Sequence, residues 1–532
     1  MIKRWLKNKI QEYYPDTEFD VLTPPDGKMG DYSVNLAFVL AKKNGTSPIE
    51  EGQKIVEKFK ADREFSDRFR NIEFISPGFV NLKLSDDFLR DSIKDIFAMG
   101  DEFGDSDMGK GMKINLEFVS ANPTGPLTVG NARVASYGDT LGNVLKKAGY
   151  VVGKEYYIND VGVQVKKLAE SIRLRMLELK GEKVEFGPDL YQGEYVKDIA
   201  KDFSGRGVSE QDIMVEAIRT MTDKSKSTME ALGITFDEWF SEKKLHESGE
   251  VKEAFSELES NGYVVEEEGA KWLKMDGDQK AVLIKSDGST TYLMNDIAYT
   301  KNKFGRGFDK AINIWGTDHH GDVFRLKAGV AALGYDTEKL EILLHQLVML
   351  KQKNEKLKIS KRAGNLVLLD DLLSDVGKDA IRFFFLTKDL NTHMEFDVEL
   401  AKEQSKQNPV FYIQYAFARL SSIKEKLKVT SEKLKVDEVD LNLLKEEEEL
   451  RLLRDITKFP DLMEEVAESY HVHHLAQYTL DLASDFHKFY EKHRVIIEDE
   501  SLQSVRLLLS EAVRKVLAVC LGLMGLATPE RM

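Results

Sequence analysis

Two short stretches hold residue types suited to phosphate chemistry. The first, SANPTGPLTVGNARVASYGD, runs from Ser120 to Asp139. Alternating apolar residues Ile114, Leu116 and Phe118 precede it, prolines and glycines turn the chain, and Val134, Tyr137, Leu141 and Leu145 follow at helical spacing. Open parallel sheets bind nucleotides at such corners, just beyond the carboxyl ends of their strands. Gly130 lets a base or ribose approach the backbone, while Thr128 and Asn131 can hydrogen-bond polar oxygens. The second stretch, KQKNEKLKISKR from Lys351 to Arg362, carries six basic residues against one Glu. Within it Lys358, Ser360 and Lys361 can bring two ammonium groups and a hydroxyl onto a triphosphate and stabilise the charge that develops on leaving pyrophosphate. Each stretch also has a plainer reading, as a tight packing corner and as a solvated basic loop.

The elements that must position these residues follow from periodicity. Residues 1–105 mix helical spacing with strand-like pieces such as NIEFISPGFVNLKL, which predicts a small α+β domain. The Gly- and Asp-rich FAMGDEFGDSDMGKGMK then reads as a linker. Strand, turn and helix alternate over 106–385, predicting an α/β domain on a parallel sheet, with a mostly helical insertion at about 163–285. Over 386–532 strand signals fade and long helical patterns predict an all-α bundle, interrupted by the acidic run Glu446 to Glu449.

Composition narrows the class. The chain has 532 residues, 42% hydrophobic and 31% charged, with 11 prolines, which excludes a disordered or fibrous protein. Its one cysteine, Cys520, permits neither an internal disulfide nor a thiolate metal site and fits a reducing compartment. The basic start MIKRWLKNKI has no apolar stretch behind it, which predicts no secretory signal and a cytoplasmic protein. The apolar run Val516 to Ala527 is twelve residues, short of the roughly 20 that span a bilayer. Lys and Arg number 76 against 91 Asp and Glu, a net charge of −15, so any polyanion must be met by a local patch.

TVGN and KISKR, about 230 residues apart and each after an apolar strand, resemble the two signature motifs of class I aminoacyl-tRNA synthetases, HxGH and KMSKS. Flanking segments narrow the resemblance to the bacterial arginyl-tRNA synthetases. These are SANPTGPL, EYYINDVGVQ, YQGEY, LGITFDEWFSE, SDGSTTYLMNDIAY, IWGTDHHGDVFRLKA, KISKRAGNLVLLDDLL, NPVFYIQYAFARL and TPERM, in order, with GDYSVNLAFVLAK and SPGFVNLKL near the start. The likeness covers nearly the whole chain. It implies a Rossmann-like catalytic domain, an N-terminal additional domain that touches the tRNA D-loop, and a helical anticodon-binding domain.

The implied reaction joins L-arginine to tRNA(Arg) through an arginyl-adenylate, with Mg-bound ATP as co-substrate, no resident metal, and tRNA required before activation. No editing domain is expected, because a carboxylate pair facing a guanidinium rejects analogues that lack it. By resemblance, Pro126, Thr128, Gly130, Asn131, Gly316, His319, Lys358 and Lys361 hold ATP. Glu117, Ser120, Asn122, Tyr292, Asp296 and Asp318 form the arginine site; Glu117 and Asn122 meet the α-amino end, and Tyr292 and Asp296 share a helix face towards the guanidinium. Phe79, Asn81, Asn408, Tyr412, Tyr415 and Met532 are the implied tRNA contacts. Asp318, His319 and His320 are not read as a metal cluster, because adjacent His residues in a strand point opposite ways and no third ligand stands at a typical spacing. The resemblance further implies a monomer, with neither DNA nor a membrane as partner.

Four positions depart from the family pattern. Thr128 and Asn131 stand where two histidines are usual, Val163 where Asn is, and Asn295 where Arg is. TxGN also resembles the variant of some tryptophanyl-tRNA synthetases, in which neutral hydrogen bonds do the work. The alternatives are a non-catalytic tRNA-binding paralogue, motivated by the missing histidines, or another class I synthetase or nucleotidyltransferase.

Overall fold

The structure, a computed structural model, describes residues 1–24, 27–203, 207–277, 279–352, 355–357, 367–427 and 435–532. Its centre is a five-stranded parallel sheet in the order Leu340–His345, Lys310–Gly316, Lys113–Glu117, Val151–Ile158, Glu238–Ser241. The strand that comes first in the chain, Lys113–Glu117, is therefore the middle one, and its two neighbours are reached in opposite directions. That reversal opens a crevice at the carboxyl ends of Lys113–Glu117 and Lys310–Gly316, where helices leave to opposite faces. The helix Val129–Lys147 lies so close to the sheet that a Cβ at Gly138 would stand 2.3 Å from the Phe118 ring.

The insertion differs from the mostly helical expectation. Helices Val163–Leu179, Glu194–Asp202 and Glu210–Ala231 form a core of their own around Leu168, Ile172 and Met221. Glu238–Ser241 then joins the parallel sheet as its edge, and Val264–Glu267, Ala270–Lys274 and Lys280–Ile284 make an antiparallel meander. The charged residues that mimic a helical surface there lie on the exposed side of these strands. In the C-terminal part, helices Pro409–Lys426, Glu447–Ser469, His473–Lys492 and Glu500–Leu523 pack as a bundle. The acidic run Glu446 to Glu449 starts a helix there: Glu449 Oε2 accepts the backbone N–H of Glu446 at 3.0 Å, and acids at a helix N-terminus oppose its dipole. The N-terminal sheet Val21–Leu22, Tyr32–Val34, Phe79–Leu84, Phe69–Ile75 is antiparallel. One apolar core runs from Ile2 through the sheet to Leu526.

Where these parts meet, a guanidinium is wholly buried. Arg382, on the helix Lys378–Leu386, donates to Asp139 Oδ2 at 2.5 Å, to the Met524 carbonyl at 2.6 Å, and to the carbonyls of Leu232 and Gly233 at 3.3 and 3.4 Å. Asp139 Oδ1 accepts a hydrogen bond from Lys154 Nζ at 2.6 Å. Gly525 has φ +67°, and a Cβ there would fall 2.4 Å from the guanidinium. Removing one member of such a buried set strands the others' charge, at a cost of about 3–5 kcal/mol. Arg382→Met is expected to lower the urea midpoint accordingly. Asp139→Asn in the same chain should deepen the loss, because the buried Lys154 ammonium is then left without its carboxylate; equilibrium unfolding of the two variants checks this.

Candidate active site

The corner after the middle strand is backbone under strain held by side chains. Val119 and Ser120 have φ of +71° and +39°, a region that β-branched residues avoid. Ser120 Oγ donates to Glu117 Oε1 at 2.9 Å and accepts the N–H of Tyr157 at 3.1 Å. The Tyr156 hydroxyl bridges the N–H and carbonyl of Ala121, at 3.1 and 3.0 Å. Tyr195 of the insertion donates to the Thr124 carbonyl at 2.8 Å, and Asn122 donates to Gln164 at 2.8 Å. Pro126, half-buried, completes the turn.

Thr128 and Asn131 make the helix cap. Asn131 Oδ1 accepts both the Thr128 N–H, at 2.9 Å, and the Thr128 hydroxyl, at 3.0 Å. The Asn131 Nδ2 donors have no protein partner among the described residues. A Cβ at Gly130 would meet only Thr128 Oγ1, at 3.8 Å, so packing does not explain the glycine and the space above the turn is open. Lys358, Ser360 and Lys361 lie outside the described residues. The chain just beyond them is held on this corner: Leu369 N–H donates to the Leu127 carbonyl at 2.9 Å, Val129 N–H donates to the Val367 carbonyl at 3.4 Å, and Thr128 and Leu368 form a bridge. Val367–Leu369 thus lies against the helix cap.

Across the crevice, Gly316 ends its strand so near Asp318 that a Cβ would come within 2.4 Å of Oδ1. Asp318 and His319 are exposed, and His319 Nδ1 lies 3.3 Å from Asp322.

The helix Tyr292–Gly305 lines the remaining wall with Tyr292, Asp296, Tyr299 and Lys303, spaced by four, three and four residues on one face. Tyr292 is largely exposed. Asp296 has no side-chain hydrogen bond or ion pair among the described residues. Burial, reinforced by Glu117 and Glu242 and opposed by Lys303, pushes its carboxyl well above the ordinary carboxylate range. Lys303, fully buried, donates to Glu117 Oε2 at 2.6 Å and to Asn313 Oδ1 at 2.7 Å and lies 4.3 Å from the centre of the Tyr299 ring. Both Glu117 oxygens are thus already engaged, by Lys303 and by Ser120. Glu155 beneath them takes a two-pronged pair from Arg306, at 2.6 and 2.8 Å, and a short hydrogen bond from Tyr299. No sequence motif marks Lys303 or Tyr157; Lys303 continues the helix stripe of Asp296, and Tyr157, on the facing strand, lies 4.4 Å from the Tyr299 ring of that stripe.

The tRNA-contact candidates fall into two groups. Asn81 is buried, accepting from Ser33 at 2.7 Å and donating to the Met29 carbonyl at 2.7 Å. Asn408 is likewise buried and caps the helix Pro409–Lys426 through Val410 N–H at 3.0 Å. Phe79 is half-buried and packs edge-on against Phe38 with 5.3 Å between ring centres. Tyr412 and Tyr415 lie 4.4 and 5.7 Å from the His487 ring, and Met532 is exposed.

Comparison with known proteins agrees with this geometry along the whole chain. Residues 92–399 match the family model of the class I (R) tRNA synthetase catalytic domain, residues 1–84 that of the arginyl tRNA synthetase N-terminal domain, and residues 413–532 that of the DALR anticodon binding domain. The arginine–tRNA ligase of Carboxydothermus hydrogenoformans is 42% identical over 98% of this chain and 96% of its own length. That of Geobacillus thermodenitrificans is 41% identical over 98% and 95%. The solved arginyl-tRNA synthetase of Thermus thermophilus, 22% identical, superposes with a TM-score of 0.80 over the full length of both chains and shares the fold. The chain belongs to the class I arginyl-tRNA synthetases.

Proposed function

We propose that this chain activates L-arginine with Mg-bound ATP and transfers the arginyl group to tRNA(Arg), and that the crevice between the helix cap and the helix Tyr292–Gly305 is where activation occurs. The observation that carries the reading is an unpartnered carboxylate, Asp296, set among Glu117 and Glu242 with Lys303 as the inner counter-charge. A guanidinium supplies what Asp296 lacks, and its planar fork matches a carboxylate in a way that an ammonium does not. Tyr292 closes one side of that fork. Ser120, Asn122 and Asp318 then face the backbone end of arginine, and Glu117, neutralised by Lys303, orients the α-amino group.

ATP lies over the cap. Gly130 leaves room for the ribose and phosphates, and Asn131 Nδ2 and the helix N-terminus face negative charge. Pro126, Gly316 and His319 border the nucleoside. Lys358, Ser360 and Lys361 attend the β- and γ-phosphates. The arginine carboxylate attacks the α-phosphate, the bond to pyrophosphate breaks, and the departing charge passes to the two lysines. The terminal ribose hydroxyl of the tRNA then attacks the arginyl carbonyl and AMP leaves. No protein nucleophile is needed; the rate comes from positioning and charge stabilisation. Phe79 offers a stacking face to the tRNA, with Asn81 holding the strand beneath it. Tyr412, Tyr415 and Met532 offer a second surface on the helix that Asn408 caps. We place the enzyme in the cytosol, as a monomer. No observation favours the non-catalytic alternative. The neutral cap keeps free donors, so the histidines' absence does not disarm the site.

Charging of tRNA(Arg) with labelled arginine tests the reading, and ATP–pyrophosphate exchange should appear only when tRNA is present. Asp296→Asn is expected to lower kcat/KM for arginine by about two to three powers of ten, as expected when a hydrogen-bonded charge pair is lost. A second pair of variants separates cap from ligand contact. Asn131→Asp keeps both acceptor roles towards Thr128 but places a carboxylate against the triphosphate. It should hold its melting temperature yet raise the ATP KM more than Asn131→Ala does, whereas Asn131→Ala loses the cap and about 0.5–2 kcal/mol of stability.

A further inference from the structure

Beside the arginine pocket, the junction of Glu238–Ser241 with the short helix Glu242–Glu247 meets the first turn of Tyr292–Gly305. Glu242 is 2% exposed, and its Oε1 accepts a hydrogen bond of 2.5 Å from Asn295 Nδ2. The other two polar atoms of this pair, Glu242 Oε2 and Asn295 Oδ1, are both buried and both without a hydrogen-bond partner. Leaving two acceptors in that state costs about 1–3 kcal/mol each. A single proton on Glu242 Oε2 removes both faults, because a carboxylic acid and a carboxamide have complementary edges and can pair at two points. Among the described residues the one basic group within ion-pair distance is His246, with Nε2 3.8 Å from Oε1, and burial pushes that imidazole away from its charged form.

We propose that Glu242 and Asn295 form a cyclic acid–amide pair, neutral while Glu242 keeps its proton, and that through this pair pH sets the affinity of the adjoining Asp296 pocket for a guanidinium. The proposal rests on the arginine reading above. The groups facing Glu242 are Asn295, Asp296 and Tyr292 on one helix, Tyr157 and Asp160 at the end of the strand Val151–Ile158, and His246 on its own helix. Tyr157 is itself buried with an unpartnered hydroxyl. Burial, which outweighs the donation from Asn295 and is reinforced by Asp160, pushes the Glu242 carboxyl up to about 7.

The sign follows from charge. Below that range arginine meets a neutral pair beside Asp296; above it, a second negative charge. A bound cation favours the ionised form, so arginine binding expels a proton and affinity rises with pH, by at most about tenfold per unit for one proton.

Glu242→Gln is the informative substitution, since two carboxamides pair at the same two points at every pH. The arginine KM of the wild-type enzyme should fall several-fold between pH 6 and 8. That of Glu242→Gln should fall less over the same range, with an unchanged melting temperature and a smaller proton release when arginine titrations are compared in two buffers of different ionisation heat, the remainder being the proton of Asp296. Asn295→Asp, which sets two acids edge to edge, should move the wild-type profile to higher pH. A Glu242→Gln enzyme that keeps the wild-type pH profile, or an Asn295→Asp profile that does not move, overturns the proposal. Failure of the wild-type enzyme to charge tRNA(Arg) would instead overturn the functional reading beneath it.

Discussion

The buried contact of Arg382 with Asp139 is the constraint on which the active site depends. Asp139 belongs to the helix that Thr128 and Asn131 cap, and Arg382 lies on a helix downstream of the lysine loop. The remaining guanidinium bonds go to carbonyls at the end of the insertion's helix Glu210–Ala231 and at the end of the last helix. One side chain therefore fixes how the first motif, the insertion and the C-terminal bundle stand to each other. A guanidinium suits this role because its five donors point in fixed directions and cannot be lost by deprotonation. Arg133, on the same capped helix, repeats the device, donating to the carbonyls of Gln346, Asp389 and Thr392 at 3.1, 2.7 and 2.8 Å.

The electrostatics of the crevice follow from which charges that scaffold leaves paired. Glu155 and Glu117 have cationic partners within the protein, while Asp296 has none among the described residues. An acidic chain that concentrates an unsatisfied carboxylate beside an open turn attracts a cationic amino acid. On the proposed function its phosphate-bearing substrates are met locally, by the helix N-terminus and by the lysines of the second motif. This division explains how a net charge of −15 is compatible with nucleotide and tRNA substrates.

Much of this was legible in the sequence where local pattern and tertiary role agree. The strand and corner from Lys113 to Asn131, the pairing of Tyr292 with Asp296 on one helix, and the helical C-terminal part all show in periodicity and turn residues. Less legible were features decided by distant contacts. Glu238–Ser241 is a strand because a sheet edge is available to it, not because four residues declare one. The acids from Glu446 to Glu449 resemble a break and are a helix start, since the buried partner of Glu449, Arg506 at 2.7 Å, lies 57 residues away. Asn81 and Asn408 carry surface chemistry in their side chains but spend it inside the protein, Asn81 on Ser33 and the Met29 carbonyl and Asn408 on the backbone of a helix start. Lys303 reads as one more charge in a polar helix until Glu117 is brought against it by the sheet.

The cap also resolves the apparent contradiction of a synthetase without its usual histidines. Two demands meet at this corner: the helix must begin without leaving its first N–H groups unsatisfied, and donors must remain for an anion. Asn131 meets both at once, because its carbonyl oxygen takes the two donors of Thr128 and thereby turns its amino group outward. A side chain with a single acceptor and no second donor could cap but not bind, and a lysine could bind but not cap. Thr and Asn are thus a coupled choice: Thr128 supplies the two hydrogen bonds that orient the amide, and on the proposed function the amide supplies the donors that the nucleotide needs.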